Sequence, residues 1–312
     1  MGDKEGLGNE KEVTGTGISV IIPVYNAEKY IARCLESVIK QGPVVTEIIC
    51  VDDGSSDASC HMIEAYQKQD KRVQLIRAEH GGVSRARNIG KRRAKGSYIL
   101  FVDADDFLLT KKLQVLYNKT SACNADILVF GGKAQDVWHA PEWVQWATNT
   151  RNRTYLAGDG RNIFLERGVL PVTWNKLYRR DLLETLEFPE FLTIAEDNVF
   201  QFWAFLAAQK IVFSSKKVYV YCTNAASATE NVKDAVKEQQ HALAIQSVKQ
   251  KLDRDGLSDK YTAEFAAWKR TVGDNEEPVY KSKAVMIVQY IRRFGLGAAL
   301  QRGIGKYIIR RK

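Results

Sequence analysis

Asp103, Asp105 and Asp106 put three carboxylates within four residues, directly after the apolar run Tyr98-Ile99-Leu100-Phe101-Val102. Five apolar or aromatic residues in a row, rich in β-formers, describe a strand buried on both faces. Carboxylates cannot enter such a core unpaired, so they belong just beyond the strand's C-terminal end. That edge is where open α/β sheets bind ligands. Two acidic residues flanking one other at such an edge suit a hard divalent cation, which takes oxygen ligands and holds a diphosphate. A solvated acidic turn is the plainer reading, and the neighbouring segments weigh against it.

Other apolar runs end in the same manner. The run from Ile18 closes on Pro23-Val24-Tyr25-Asn26, a strand stopped by proline and a turn-prone asparagine. Glu47 to Val51 reads as a second strand, ending in Asp52-Asp53-Gly54-Ser55-Ser56-Asp57. Between them Tyr30, Ile31, Cys34, Leu35 and Val38 recur at helical spacing. A helix from Ser59 to Asp70, a strand from Val73 to Ile76 and a helix from Val83 to Lys95 complete a β-α-β-α-β order. That order predicts a parallel sheet with right-handed crossovers, so the three polar strand ends converge on one edge. Ser84 can cap the helix that Gly81-Gly82 opens, and Arg85 and Arg87 stand near its N-terminus, where anions are favoured. Arg85 or Arg87 is therefore expected beside a phosphate, while Lys91, Arg92, Arg93 and Lys95 read as a basic surface.

Composition narrows the function classes. The chain has 312 residues, 45% hydrophobic and 27% charged, as in an ordinary globular protein. No apolar run reaches the roughly 18 residues of a membrane span. Residues 1–17 are polar and Gly-rich and read as a flexible leader without a signal peptide's apolar core. Five scattered cysteines and four scattered histidines argue against a disulfide framework and a zinc site, and suit reduced thiols in the cytosol. The net charge is +9, yet nine of the 46 basic residues lie in 281–312, where no acidic residue occurs. The first 280 residues keep 37 basic against 37 acidic side chains, which speaks against a nucleic-acid-binding surface.

Four motifs in order resemble a known family. They are Val20-Ile21-Ile22-Pro23-Val24-Tyr25-Asn26, Val51-Asp52-Asp53-Gly54-Ser55-Ser56-Asp57, Gly82-Val83-Ser84-Arg85-Ala86-Arg87-Asn88-Ile89-Gly90 and Phe101-Val102-Asp103-Ala104-Asp105-Asp106. Together they look like family 2 glycosyltransferases of the GT-A fold, over roughly Ile18 to Asn224. The resemblance implies a Rossmann-like nucleotide-binding half with a mostly parallel sheet flanked by helices. It also implies an inverting transferase that uses a nucleotide-diphospho-sugar, most simply a UDP-sugar, with Mn2+ or Mg2+. Pro23, Tyr25 and Asn26 would then line the nucleotide pocket, and Asp53 would accept a hydrogen bond from uracil. Asp103 and Asp105 would hold ribose and metal, with Asp105 ahead of Asp103 as direct metal ligand.

The second half carries weaker signals. Asp126 to Gly131 reads as another strand. Trp138, Trp143 and Trp146 crowd together and could stack on an acceptor sugar, although packing is the commoner use of tryptophan. Val172 to Arg180 resembles the acceptor-side stretch of bacterial members, which would set Trp174 and Lys176 beside the donor sugar and diphosphate. Glu196-Asp197 opens an apolar helix, where acidic residues are ordinary capping. The pair also matches the family's Glu-Asp motif, whose aspartate is the general base; that makes Asp197 the base and Glu196 its neighbour at the sugar. A positioned carboxylate can take the proton of an attacking hydroxyl. The Gln-x-x-Arg-Trp motif and membrane spans of processive synthases are missing from the sequence, which points to one sugar per acceptor visit.

The expected division is a leader (1–17), a GT-A domain (18–225, split near 135 into nucleotide-sugar and acceptor halves), a helical extension (226–280) and a basic tail (281–312). In the tail Ala284, Ile287, Val288, Ile291, Phe294 and Ala298 recur at three- and four-residue steps, with basic residues elsewhere around the wheel. Such a segment suits lying on an anionic membrane, and a C-terminal helix packed on the domain is the alternative. The reading as a whole is a cytoplasmic enzyme, peripheral at the inner face of the membrane, acting on a lipid-linked glycan. Two rivals remain. A sugar nucleotidyltransferase would need a Gly-rich, Arg-bearing loop after the first strand, which the sequence lacks. A catalytically inactive, membrane-tethered nucleotide-sugar-binding protein would have no use for intact Asp103, Asp105 and Asp197.

Overall fold

The computed structural model describes residues 16–136, 144, 150–158, 162–165, 172–223 and 232–272. Trp138, Trp143, Trp146 and the basic tail lie outside the described residues.

Four parallel strands form the first half: β1 (Ile18–Val24), β2 (Val45–Asp52), β3 (Val73–Arg77) and β4 (Tyr98–Phe101), in the order β3-β2-β1-β4. Every residue of β1 and β4 is buried, as unbroken apolar runs require when helices cover both faces. The crossovers are α1 (Ile31–Ile39), α2 (Ser59–Gln69) and α3 (Val83–Arg93). Val24 pairs with Asp52 and Ile21 with Phe101, so the three polar strand ends share one edge, as predicted. Gly17, assigned to the leader by its sequence, is held in place. Its N–H donates to Tyr117 Oη at 3.1 Å and its carbonyl accepts from Ser97 Oγ at 3.0 Å.

The sheet continues as β8 (Lys176–Arg179), β6 (Ile127–Ala134), β9 (Lys210–Tyr221) and β5 (Phe107–Leu108), with β7 (Arg153–Leu156) also on β9. β8 runs antiparallel to both β4 and β6, so the sheet is parallel across its first four strands and mixed as a whole. One core cluster packs α1, α2 and α4 (Leu113–Ala122) on one face. A second packs α5 (Glu196–Ala207), α6 (Asp234–Arg254) and α7 (Thr262–Val272) on the other. Phe188 and Phe200 stack at 3.8 Å in that layer, and Phe101 of β4 meets both edge-on. Trp268 of α7 is buried against Phe202 and Phe265 and donates its Nε1–H to the Asn198 carbonyl at 3.1 Å. The helical extension therefore shares its core with α5 and braces the residue next to Asp197. Among the described residues no helix is long and apolar enough to cross a membrane.

Candidate active site

The first wall of the site is the β1–β2 edge. Asn26 turns the chain with φ +46°, donates its N–H to Ser55 Oγ at 3.0 Å and accepts from the Ser56 N–H at 2.9 Å. Tyr25 stands 52% exposed beyond it, its ring 4.6 Å from that of His80. Pro23 is buried inside β1, one residue before the strand's end. Asp53 is buried, and its two oxygens each accept a backbone N–H at 2.8 Å, from Gly81 and Gly82, with His80 Nδ1 at 3.0 Å. Gly82 has φ +90°, a conformation strained for any residue with a side chain. Asp53 thus fixes the loop that starts α3. A carboxylate has about four acceptor positions, so these contacts leave capacity for a nucleobase N–H.

The acidic turn after β4 is the second wall. Asp103 and Asp105 are half-buried there, and Asp106 is buried. Asp106 accepts from Tyr219 Oη at 2.6 Å and from the Cys222 N–H at 2.7 Å. Burial, then the charges of Asp103 and Asp105, push its carboxyl well above the usual range. Arg33 of α1 holds the turn from the other side, donating to the Asp105 carbonyl at 2.6 Å. Neither Arg33 nor Tyr219 was visible in the sequence, because no spacing rule links α1 or β9 to this turn.

Arg87 joins these walls to α5. It is buried, and its guanidinium meets Asp103 Oδ1 at 3.1 Å and Glu196 Oε1 at 2.9 Å. Burial opposes its charge, yet Asp103, Glu196 and Asp197 more than offset this and raise its pKa. The expectation that Arg87 faces a phosphate therefore changes: both anions it meets are side chains of the protein. Arg85 is half-buried in the first turn of α3, its side chain beside Gly81. Ser84 does not cap α3, whose N-cap is Gly82 without a side-chain bond. Lys91 is not a surface residue either: it is buried and donates to the Leu183 carbonyl at 2.9 Å, to the Leu186 carbonyl and to Glu187. With Asn88, which donates to the Phe188 carbonyl at 2.9 Å and accepts the Phe188 N–H at 2.8 Å, it clamps the segment leading to α5.

Asp197 lies half-buried in the first turn of α5, after Ala195 in the left-handed region at φ +65°. Its carboxyl is pushed up to about 8, first by burial and then by the Glu196 charge, while Arg87 and the Asn198 N–H act in the other direction. A carboxylate with a raised pKa is a stronger proton acceptor once it is ionised. Trp174 and Lys176 lie within the wall instead of at a sugar-facing surface. Trp174 is stacked on Tyr219 at 4.4 Å. Lys176 is fully buried, donates to the Val172 carbonyl and to Asn175 Oδ1, and burial lowers its pKa to about 7. Among the described residues no group of three or more His, Cys, Asp or Glu side chains converges as a metal site. Asp103 and Asp105 together fit an ion that takes one or two carboxylates and fills its shell with phosphate oxygens and water.

Residues 19–187 match the model described as glycosyl transferase family 2. The chain belongs to that family. It is 34% identical over 218 residues to the uncharacterized glycosyltransferase EpsJ of Bacillus subtilis, covering 68% of this chain and 63% of EpsJ. It is 31% identical over 210 residues to the poly(ribitol-phosphate) beta-N-acetylglucosaminyltransferase TarS of Staphylococcus aureus, covering 66% of this chain and 35% of TarS. The chain thus spans under two thirds of either relative. The crystal structure of S. aureus TarS 1-349 in complex with UDP-GlcNAc superposes with a TM-score of 0.65 at 24% identity, covering 92% of this chain and 81% of that one. The expected GT-A fold is the fold observed. The family match contains Asp53, Arg87, Asp103 and Asp105 and stops before Glu196-Asp197.

Proposed function

We propose that this family 2 glycosyltransferase moves a sugar from a UDP-sugar to a glycan hydroxyl with inversion. The observation that carries the reading is the Arg87 fork, which ties Asp103 on the nucleotide edge to Glu196, the neighbour of Asp197. Donor and base are thereby held on one rigid frame. Tyr25, Asn26 and Asp53 bind the nucleoside, with Asp53 accepting the uracil N–H. Asp105 and Asp103 hold Mn2+ or Mg2+, whose charge stabilises the departing diphosphate. Arg85, at the N-terminus of α3, adds positive charge on the same side. Asp197 accepts the proton of the acceptor hydroxyl as that oxygen attacks the anomeric carbon from the face opposite the diphosphate. One displacement inverts the centre, and the leaving UDP carries away the bonding pair.

The acceptor in this account is a lipid-linked glycan of a bacterial cell surface, met at the inner face of the membrane. Nine basic residues in 281–312, set against recurring apolar positions, support that placement. The test is a donor screen with membrane extract as acceptor, combined with co-sedimentation on anionic liposomes. UDP-sugar consumption with UDP release, and binding to liposomes that high salt reverses, are the expected results. Pyrophosphate release would instead indicate nucleotidyl transfer. Full binding to liposomes by a chain ending at Val279 would remove the tail from the account.

A further inference from the structure

Besides Arg33 of α1, the acidic turn is gripped from outside the first four strands, and β9 supplies that grip. Tyr219 accepts the Asp103 N–H at 3.1 Å and donates its hydroxyl to Asp106 Oδ2 at 2.6 Å. One phenol therefore touches the backbone at the start of the turn and the carboxylate at its end. The pairing of β5 with β9, with Leu108 opposite Tyr219, keeps the two elements in register. The Tyr219 ring lies under Trp174, the centroids 4.4 Å apart and the planes 18° from parallel. Trp174 belongs to the segment between Val172 and β8, on the acceptor side of the sheet. Both rings are buried, so neither can tilt without disturbing the other.

We infer that Tyr219 is a positioning residue for the Asp103–Asp105 turn and that the Trp174 stack sets its hydroxyl. The inference rests on the reading of Asp105 as a metal-binding residue. Its physical content is a preorganised turn. Asp103 and Asp105 are separated by one residue, and like charges so close would spread the turn if nothing held it. The hydroxyl bond to Asp106 and the bond from the Asp103 N–H fix the two ends of the turn. Without them the turn must be ordered by the ligand, at the expense of affinity. Tyr219 touches neither sugar nor nucleotide in this arrangement and acts through the turn alone.

The experiment compares calorimetric binding of UDP with and without Mn2+ in the full chain, with Mn2+ electron paramagnetic resonance as a second readout. Tyr219→Phe keeps the ring and its stack and removes only the hydroxyl. It should weaken Mn2+-dependent UDP binding about tenfold, the scale of one hydrogen bond, and leave metal-free UDP binding as in the wild type. Trp174→Phe, which shrinks the stack but keeps Tyr219, should give the same split to a smaller degree. Asp105→Ala is the control for the underlying reading. If Asp105→Ala weakens Mn2+-dependent binding and Tyr219→Phe does not, the positioning role is overturned and the metal reading stands. An Asp105→Ala protein that binds Mn2+ and UDP normally would overturn both. Equal losses of metal-free and metal-dependent binding in Tyr219→Phe would mark a general fold defect and overturn the inference as well.

Discussion

Arg87 meets Glu196 at 2.9 Å across 109 residues of sequence, with both side chains buried. The same guanidinium reaches Asp103, so a single planar fork spans the nucleotide edge and the N-terminus of α5. Arg87→Met should lower kcat by about a hundredfold or more and cost about 3 kcal/mol of stability, because Glu196 is left as a buried charge without its partner. Arg87→Lys should rescue little, since one ammonium cannot serve two carboxylates in the geometry of the fork. Steady-state kinetics and denaturant titration check both.

As the proposed base, Asp197 should give the rate its pH dependence. Its carboxyl is pushed up to about 8 and must be ionised to accept a proton. The base is therefore progressively lost below that value, and kcat/KM should climb with pH and level off above about 8. Glu196 is the larger of the two neighbouring negative charges that raise it, after burial. Glu196→Gln should accordingly move the limb to lower pH. Asp197→Asn should bind donor like the wild type and fail to transfer. A flat profile between pH 6 and 9 would contradict this role.

Metal removal is expected to stop the reaction. Two carboxylates facing a diphosphate repel it unless a cation lies between them. Excess chelator should abolish turnover, and Mn2+ or Mg2+ should restore it. Asp105→Ala should lose roughly two orders of magnitude in rate, in line with the loss of a main electrostatic stabiliser. Full turnover in chelator would refute the assignment.

Asp53 should show a double phenotype. Its oxygens hold the Gly81 and Gly82 N–H groups and are also the proposed uracil acceptor. Asp53→Ala should lower both UDP affinity and melting temperature, whereas Tyr25→Ala, on an exposed ring, should lower affinity alone. Calorimetry on UDP, CDP and GDP checks the base preference: wild type should bind UDP tightest.

The nucleotide half was legible because burial on both faces leaves an unmistakable mark, as in Ile18–Val24 and Tyr98–Phe101. Their polar ends could be assigned to one edge by topology alone. β8 left no such mark: four residues, two of them basic, do not announce a central strand, and tertiary pairing decided it. Arg87 and Lys91 were misjudged for one shared reason. Sequence displays a charge, and only the fold reveals that α3 turns these two inward onto carboxylates and carbonyls from residues 183–196. Trp174 was expected beside the donor sugar through the resemblance alone, and it holds the position of a core residue. The role proposed for Asp197 rests on the resemblance to the family's Glu-Asp motif, since an acidic first helical turn by itself indicates no chemistry.

The most direct test of the account is the anomeric configuration of the first sugar released. Purified protein with Mn2+ and an α-linked UDP-sugar, with water standing in for the acceptor, is followed by proton NMR from the first minutes. The account predicts a β-anomer formed ahead of mutarotation, stoichiometric UDP, and no reaction with Asp197→Asn. Initial release of the α-anomer, or unchanged turnover by Asp197→Asn, would contradict single displacement with Asp197 as base.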